Sequence, residues 1–365
     1  PRMLYPPWGL PVQSKPYELL PPKLCYLYSL WPESSLLNFC HKFNPNYDVV
    51  DTTHQNILFL SHNEHIRFMQ RCLSLAESAL GNTYPNPLVG SVVVYKHKII
   101  GEGWHQKAGE AHAEVNAIKQ VIDKSLLSDA TLYVNLEPCS HFGKTPPCAD
   151  LIIKHGINRV VIASKDPNPQ VAGQGIVKLQ RAGIEVIEGV LRKEAEFLNR
   201  RFYTFHKKKR PYIILKWAQT QDRFIAPLKK ETRRPFWISN KLARQKVHQW
   251  RSQESSILVG IQTVIEDNPI LNTREWPGNN PLRLILDPSD RIPQDATILQ
   301  DELSSIIFNK QIANRSFKNR KERVVLNPFN LNTLMKFCYD RSVLSVIVEG
   351  GQKTLDHFIE QNLWD

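Results

Sequence analysis

Two cysteines, Cys139 and Cys148, lie nine positions apart in EPCSHFGKTPPC, each preceded by proline. A pair this close can be a disulfide, a redox couple or two thiolate ligands. The six cysteines (Cys25, Cys40, Cys72, Cys139, Cys148, Cys338) are sparse and irregular for 365 residues. That fits a reducing compartment better than a disulfide scaffold, and there a close pair more often means metal or redox chemistry. A third ligand stands upstream in GEAHAEVNA, where His112 precedes Glu114 by two positions. Zinc accepts imidazole nitrogen and thiolate sulfur, and a catalytic site keeps three protein ligands with one open position. Two thiolates and a neutral imidazole balance the ion's charge, while water held there still loses a proton far more readily than bulk water. Glu114 is placed to take that proton. A purely structural zinc site would want a fourth ligand, for which His141 is the nearby candidate.

The elements around these residues read as alternating strands and helices. In EHIRFMQRCLSLAESALG, Ile66, Met69, Leu73, Ala76 and Leu80 share a helical stripe, so order is expected from about residue 62. Strands are expected over 88–95, 99–104, 131–138, 158–164 and 184–189, with helices over 112–122, 147–156 and 175–183. A helix opening at His112 would set Glu114 beside the metal. Helices opening near both Cys139 and Cys148 would aim positive backbone ends at the sulfurs and favour thiolate. One long polar helix over 191–205 leads to HKKKRP, a boundary. Beyond it come six strands (YIILKWA, SSILVG, LRLILD, SIIFN, RVVLN, VLSVIVEGG) and helices near 240–251, 330–339 and 354–363. This pattern predicts two α/β units with partly parallel sheets. Residues 1–60, rich in proline and aromatics without a period, read as a poorly specified extension. The chain opens without an initiator Met and without the basic-then-apolar order of a secretory signal, so a fragment or an extended reading frame is expected.

A hydrophobic content of 42% suffices for real cores, and no apolar run is long enough for a membrane span. The formal charge of +12 is dispersed along the chain, which fits a solvated basic surface or attraction for phosphorylated metabolites better than a nucleic-acid partner.

The order H-x-E, then P-C and a second cysteine, matches the zinc-deaminase signature, with a longer cysteine spacing. In such enzymes the glutamate passes its proton to a ring nitrogen and then to departing ammonia. PNPLVGSVVV, GEAHAEVNAI, LEPCSHFGKTPPCADLII and KDPNPQVAGQGI together resemble the bifunctional riboflavin-biosynthesis family, in which a pyrimidine deaminase is fused to a pyrimidine reductase. The resemblance runs from about residue 62 to the end. It implies a cytidine-deaminase-like α/β/α sandwich over 61–207, then a dihydrofolate-reductase-like α/β domain over 208–365. It implies zinc, one ion per deaminase domain, on His112, Cys139 and Cys148, with Glu114 as proton shuttle. Asn86, His105, His141, Lys144, Asp166 and Asn168 would contact the substrate, 2,5-diamino-6-ribosylamino-4(3H)-pyrimidinone 5′-phosphate. In the second half, PYIILKWAQTQD, WIS, VHQWRSQESSILVGIQTVIEDNPILNTR and VIVEGG carry the likeness. There Ala218, Trp237, Thr263, Asp267, Gly350 and Gly351 would face NADPH, and Arg251, Leu271, Arg274 and Glu349 the substrate. The resemblance further implies a cytoplasmic homo-oligomer with neither nucleic-acid nor membrane partners.

Two other readings of the zinc motif stay open: a deaminase acting on a nucleobase in RNA, drawn by the basic charge, and a non-catalytic zinc module. Departures from the family lie in the second half. Arg223 stands where the family usually keeps glycine, Pro235 and Pro288 replace small hydroxyl residues, and the chain stops at Asp365, before the family's sheet is normally complete. A bulky Arg223 would crowd cofactor or substrate, so deamination with poor reduction is expected.

Overall fold

Runs of β-branched residues between polar, glycine-containing turns build two sheets, each covered on both faces by helices. The computed structural model describes residues 52–141, 146–169, 171–227, 230–311 and 320–365, with side chains from residue 63 onward. The expected extension over 1–60 lies outside these residues up to position 51. From Thr52 the backbone is already helical, so order begins about ten residues earlier than the apolar stripe indicated.

Helix α1 (Thr52–Glu77) precedes strands β1 (Gly90–Tyr95) and β2 (Lys98–Trp104). These two form an antiparallel hairpin turned by Lys96 and His97, both in the left-handed region. Then follow α2 (Ala113–Gln120), β3 (Thr131–Leu136), α3 (Cys148–Lys154), β4 (Arg159–Ser164), α4 (Gln174–Arg181), β5 (Glu185–Glu188), α5 (Arg192–Leu198) and α6 (Arg200–Lys208). The sheet order is β2-β1-β3-β4-β5, with β3, β4 and β5 parallel. One face packs on α2, α3 and α4 through Ala117, Ile118, Ala149, Ile152, Ile176 and Leu179. The other packs on α1 and α5 through Phe68, Met69, Cys72, Leu75 and Ala195. This is the expected α/β/α sandwich.

The polar helix expected over 191–205 is instead two helices broken at Asn199. That side chain is buried and spent on tertiary bonds: its Oδ1 accepts from Leu88 N at 2.8 Å, and its Nδ2 donates to Leu88 O at 2.8 Å. Asn135 Nδ2 donates to the same carbonyl and Asn135 Oδ1 accepts from Gly90 N, so two asparagines fix where β1 begins.

Past a left-handed Lys209, the second unit runs β6 (Tyr212–Leu215), α7 (Lys241–Gln253), β7 (Ser256–Gly260), α8 (Ile261–Asp267), β8 (Leu282–Leu286), α9 (Thr297–Gln300), β9 (Ser305–Asn309), β10 (Lys321–Val325), α10 (Leu331–Asp340), β11 (Ser345–Val348) and α11 (Gln352–Glu360). All six strands are parallel, in the order β10-β9-β8-β7-β11-β6. The six expected strands are present. Helices α8 and α9 were not anticipated, being too short for an apolar stripe to be read. Between the units, Leu136, Phe202, Tyr203 and Phe205 pack with Leu344. A bidentate Arg201–Glu254 ion pair is buried there, and Tyr84 Oη donates to Gln253 O at 2.7 Å.

Candidate metal centre and reductase cleft

Strand β3 delivers Cys139 just past its end, and α3 begins at Cys148. His112 is the residue before α2, held extended at φ −72° and ψ 163°, with no side-chain cap to divert its ring. One helix N-terminus serves both sulfurs. Cys148 opens α3, and its N–H donates to Cys139 Sγ at 3.2 Å. The helix expected near Cys139 falls partly outside the described residues; residues 137–141 are not helical, and the Cys139 carbonyl accepts from Ala149 N at 3.1 Å.

His112 Nδ1 lies 3.6 Å from Cys139 Sγ and 3.3 Å from Cys148 Sγ. The N–S edge of a tetrahedral site with Zn–S of ~2.3 Å and Zn–N of ~2.05 Å is about 3.6 Å. The three donor atoms lie within 4.8 Å of one another, so donor set and spacing fit zinc. His141, the candidate fourth ligand, is exposed and outside this cluster. Cys139 is pulled down to about 4, first by a hydrogen bond from the Cys148 thiol, then by His112, against its own burial. Cys148 is raised in turn as donor to Cys139.

Glu114 sits in the first turn of α2 and is 3% exposed. Burial pushes its carboxyl up to about 7, and the Cys139 sulfur adds to the effect. A bound dication opposes this and favours the carboxylate, the form that can accept a proton.

His105 is buried beyond the end of β2, its ring 5.6 Å from that of His112. Its Nδ1 contacts Ala111 O at 3.2 Å and its Nε2 contacts Asn86 Nδ2 at 3.0 Å. The carbonyl can only accept, which assigns the proton to Nδ1 and makes Asn86 the donor to Nε2. Burial lowers the His105 pKa, keeping the ring neutral. Asn86 Oδ1 takes no part in that contact and keeps its acceptor capacity.

Asp166 and Asn168 follow β4, whose C-terminal end lies beside that of β3; Leu136 pairs with Ser164, and Glu137 N donates to Ser164 O. Asp166 Oδ1 accepts from Asn168 N at 2.7 Å, and burial pushes the Asp166 carboxyl up to about 6. Lys144 lies outside the described residues.

In the second unit some of the expected residues come together in two places beside the C-terminal end of β11, where ligands of α/β folds bind: Arg251 with Glu349, and Thr263 with the Gly350–Gly351 turn. Glu349, just past β11, takes a bidentate bond from Arg251 at 2.9 and 2.6 Å. Burial alone would raise its pKa, but Arg251 and Lys216 hold it below the usual range. Lys216, 3.8 Å from Glu349, was missed by sequence reasoning. Its signal was a lysine closing the otherwise apolar strand YIILKW. Thr263 adjoins the Gly350–Gly351 turn, whose φ values of 157° and 37° are open to glycine; a Cβ at either would come within 3.2 or 3.4 Å of Thr263 Oγ1. Asp267 is ion-paired with Lys230. Ala218 is half-buried beyond β6. Trp237 is 55% exposed beneath the Arg244 guanidinium. Arg274 is exposed and bonded to Asn272 Oδ1. Leu271 points into the core, which leaves only its backbone for a ligand. Arg223 has φ 68° in a turn closed by Thr220, so the position does require the left-handed backbone that glycine supplies. Its side chain is exposed.

Comparison with known proteins agrees with this geometry. Residues 62–164 match the cytidine and deoxycytidylate deaminase zinc-binding region, and residues 211–365 match the RibD C-terminal domain. The chain is 44% identical to riboflavin biosynthesis protein RibD of Aquifex aeolicus over 82% of this chain and 84% of that one. It is 37% identical to the Escherichia coli protein of the same name, again over 82% and 84%. Among solved structures it is similar to a diaminohydroxyphosphoribosylaminopyrimidine deaminase/5-amino-6-(5-phosphoribosylamino)uracil reductase from Thermotoga maritima, with a TM-score of 0.76, 41% identity, and 82% and 85% of the two chains covered. Acinetobacter baumannii RibD gives a TM-score of 0.75 at 34% identity, with 83% and 85% covered. Zinc deaminase and reductase therefore share one polypeptide, and the chain belongs to the RibD family of riboflavin-biosynthesis enzymes.

Proposed function

We propose that the first unit, residues 61–207, removes the 2-amino group of the diaminopyrimidine ribosyl phosphate, with His112, Cys139 and Cys148 holding one zinc ion. The observation that carries this is the 3.3–3.6 Å convergence of one imidazole nitrogen on two sulfurs beside a buried carboxyl. When bound, zinc supplies a water of lowered pKa. Glu114 would take one proton from the attacking water and pass it to the ring nitrogen, then take the second from the C–OH so formed and pass it to the amino group, so that the C–N bond breaks, ammonia leaves and a C=O remains. Asn86, held by His105, turns its Oδ1 to the pyrimidine's N–H edge. Asp166 and Asn168 offer further acceptor and donor groups, and Lys144 and His141 suit the phosphate.

The second unit, residues 208–365, reduces the ribosyl group of the deaminated product to ribityl. NADPH supplies the hydride, and the protein positions it. Thr263, Asp267, Ala218, Trp237 and the Gly350–Gly351 turn face the cofactor; Arg251, Glu349, Arg274 and the Leu271 backbone face the substrate. The protein works as a cytoplasmic homo-oligomer without a nucleic-acid partner.

Replacing Glu114 by Gln tests the first reading. Bound zinc should stay at one per chain while ammonia release falls by roughly 100- to 10,000-fold. Activity within a few-fold of the parent's would refute the shuttle.

A further inference from the structure

Glu137 stands at the end of β3, separated from the metal-ligand Cys139 by Pro138 alone, and is 4% exposed. Four backbone N–H groups converge on its carboxylate. Oε2 accepts from Asp166 N at 3.1 Å and Gly173 N at 2.9 Å; Oε1 accepts from Gly175 N at 2.9 Å and Ile176 N at 3.4 Å. Charge-assisted bonds of this kind are about twice as strong as neutral ones. These amides bracket the loop that carries Asp166 and Asn168. The fit is close: a Cβ at Gly175 would lie 2.0 Å from Pro138 O, so glycine alone lets α4 approach the metal-ligand loop. Tyr203 ties the start of the loop by donating to Lys165 O at 2.6 Å.

We infer that Glu137 is a positioning residue for deamination. It fixes Asp166 and Asn168 relative to the metal ligands through the loop backbone, without touching the substrate. The inference rests on the proposed reading that these two residues face the pyrimidine phosphate.

Its test uses the full chain, whose second activity reports on folding. In Glu137→Gln an amide N–H₂ replaces one acceptor and meets backbone N–H groups. Bound zinc and nicotinamide-dependent reduction of the deaminated product should match the parent. The KM for ammonia release should rise roughly 10- to 100-fold, with kcat changing less. Gly175→Ala keeps the carboxylate but drives the loop from Pro138, and should raise KM likewise. Asn168→Ala checks the underlying reading: an unchanged KM there means the loop does not face the substrate, and both fall. A raised KM in Asn168→Ala with parental KM in both other variants overturns the positioning role alone. Lowered kcat at unchanged KM, or zinc lost in step with activity, in Glu137→Gln also overturns it.

Discussion

At the scale of single residues, the deaminase site was readable because its chemistry admits few substitutes. Thiolate, imidazole and a nearby carboxylate are what a hydrolytic zinc site needs, and H-x-E with P-C and P-C displays them. Support groups were not readable, since what defines them is tertiary. Glu137 looks in sequence like a strand-end glutamate, and only the converging amides reveal its clamp. Lys216 acquires meaning only when β6 lies beside β11 and brings it to Glu349. Asp166 supports a pH prediction. With burial pushing it up to about 6, it is a carboxylate acceptor above that pH and a neutral acid below. The KM for ammonia release should therefore rise as pH falls through about 6, and that limb should vanish from the KM profile of Asp166→Asn. A profile identical in the two proteins would remove Asp166 from substrate binding.

At the scale of elements, period and punctuation gave most strands and helices, because β-branched runs and glycine stops are local signals. Errors fell where distant partners intervene. The helix expected over 191–205 breaks because Asn199 bonds Leu88, and Cys139 itself lies outside any helix, its sulfur and carbonyl bonded to the first turn of α3. Arg223 illustrates a local cost. A left-handed φ of 68° disfavours a residue with a Cβ by roughly 1–2 kcal/mol, partly offset by the greater chain entropy glycine loses on folding. Arg223→Gly should raise stability by about 1 kcal/mol in urea unfolding, while the rate of nicotinamide oxidation changes by less than about two-fold. A large rate increase would show that Arg223 obstructs the reductase after all.

At the scale of the whole molecule, the two units are joined by more than the linker. Arg201 and Glu254 form a bidentate pair with side chains 7% and 2% exposed. Removing one partner strands a buried charge, so Arg201→Met should cost about 3–5 kcal/mol. Loss should appear in the thermal transition of both units together; a change below 1 kcal/mol would mean water reaches the pair. No sequence pattern disclosed this contact, since both residues lie in stretches that read as solvated helix and turn. Deamination by this chain stands or falls on the identity of the metal's ligands. Zinc-edge X-ray absorption on the purified protein tests it directly: one zinc per chain should show two sulfurs at about 2.3 Å and a shell of nitrogen and oxygen near 2.0–2.1 Å. A four-sulfur shell, a shell without sulfur, or full ammonia release from metal-free protein would contradict it.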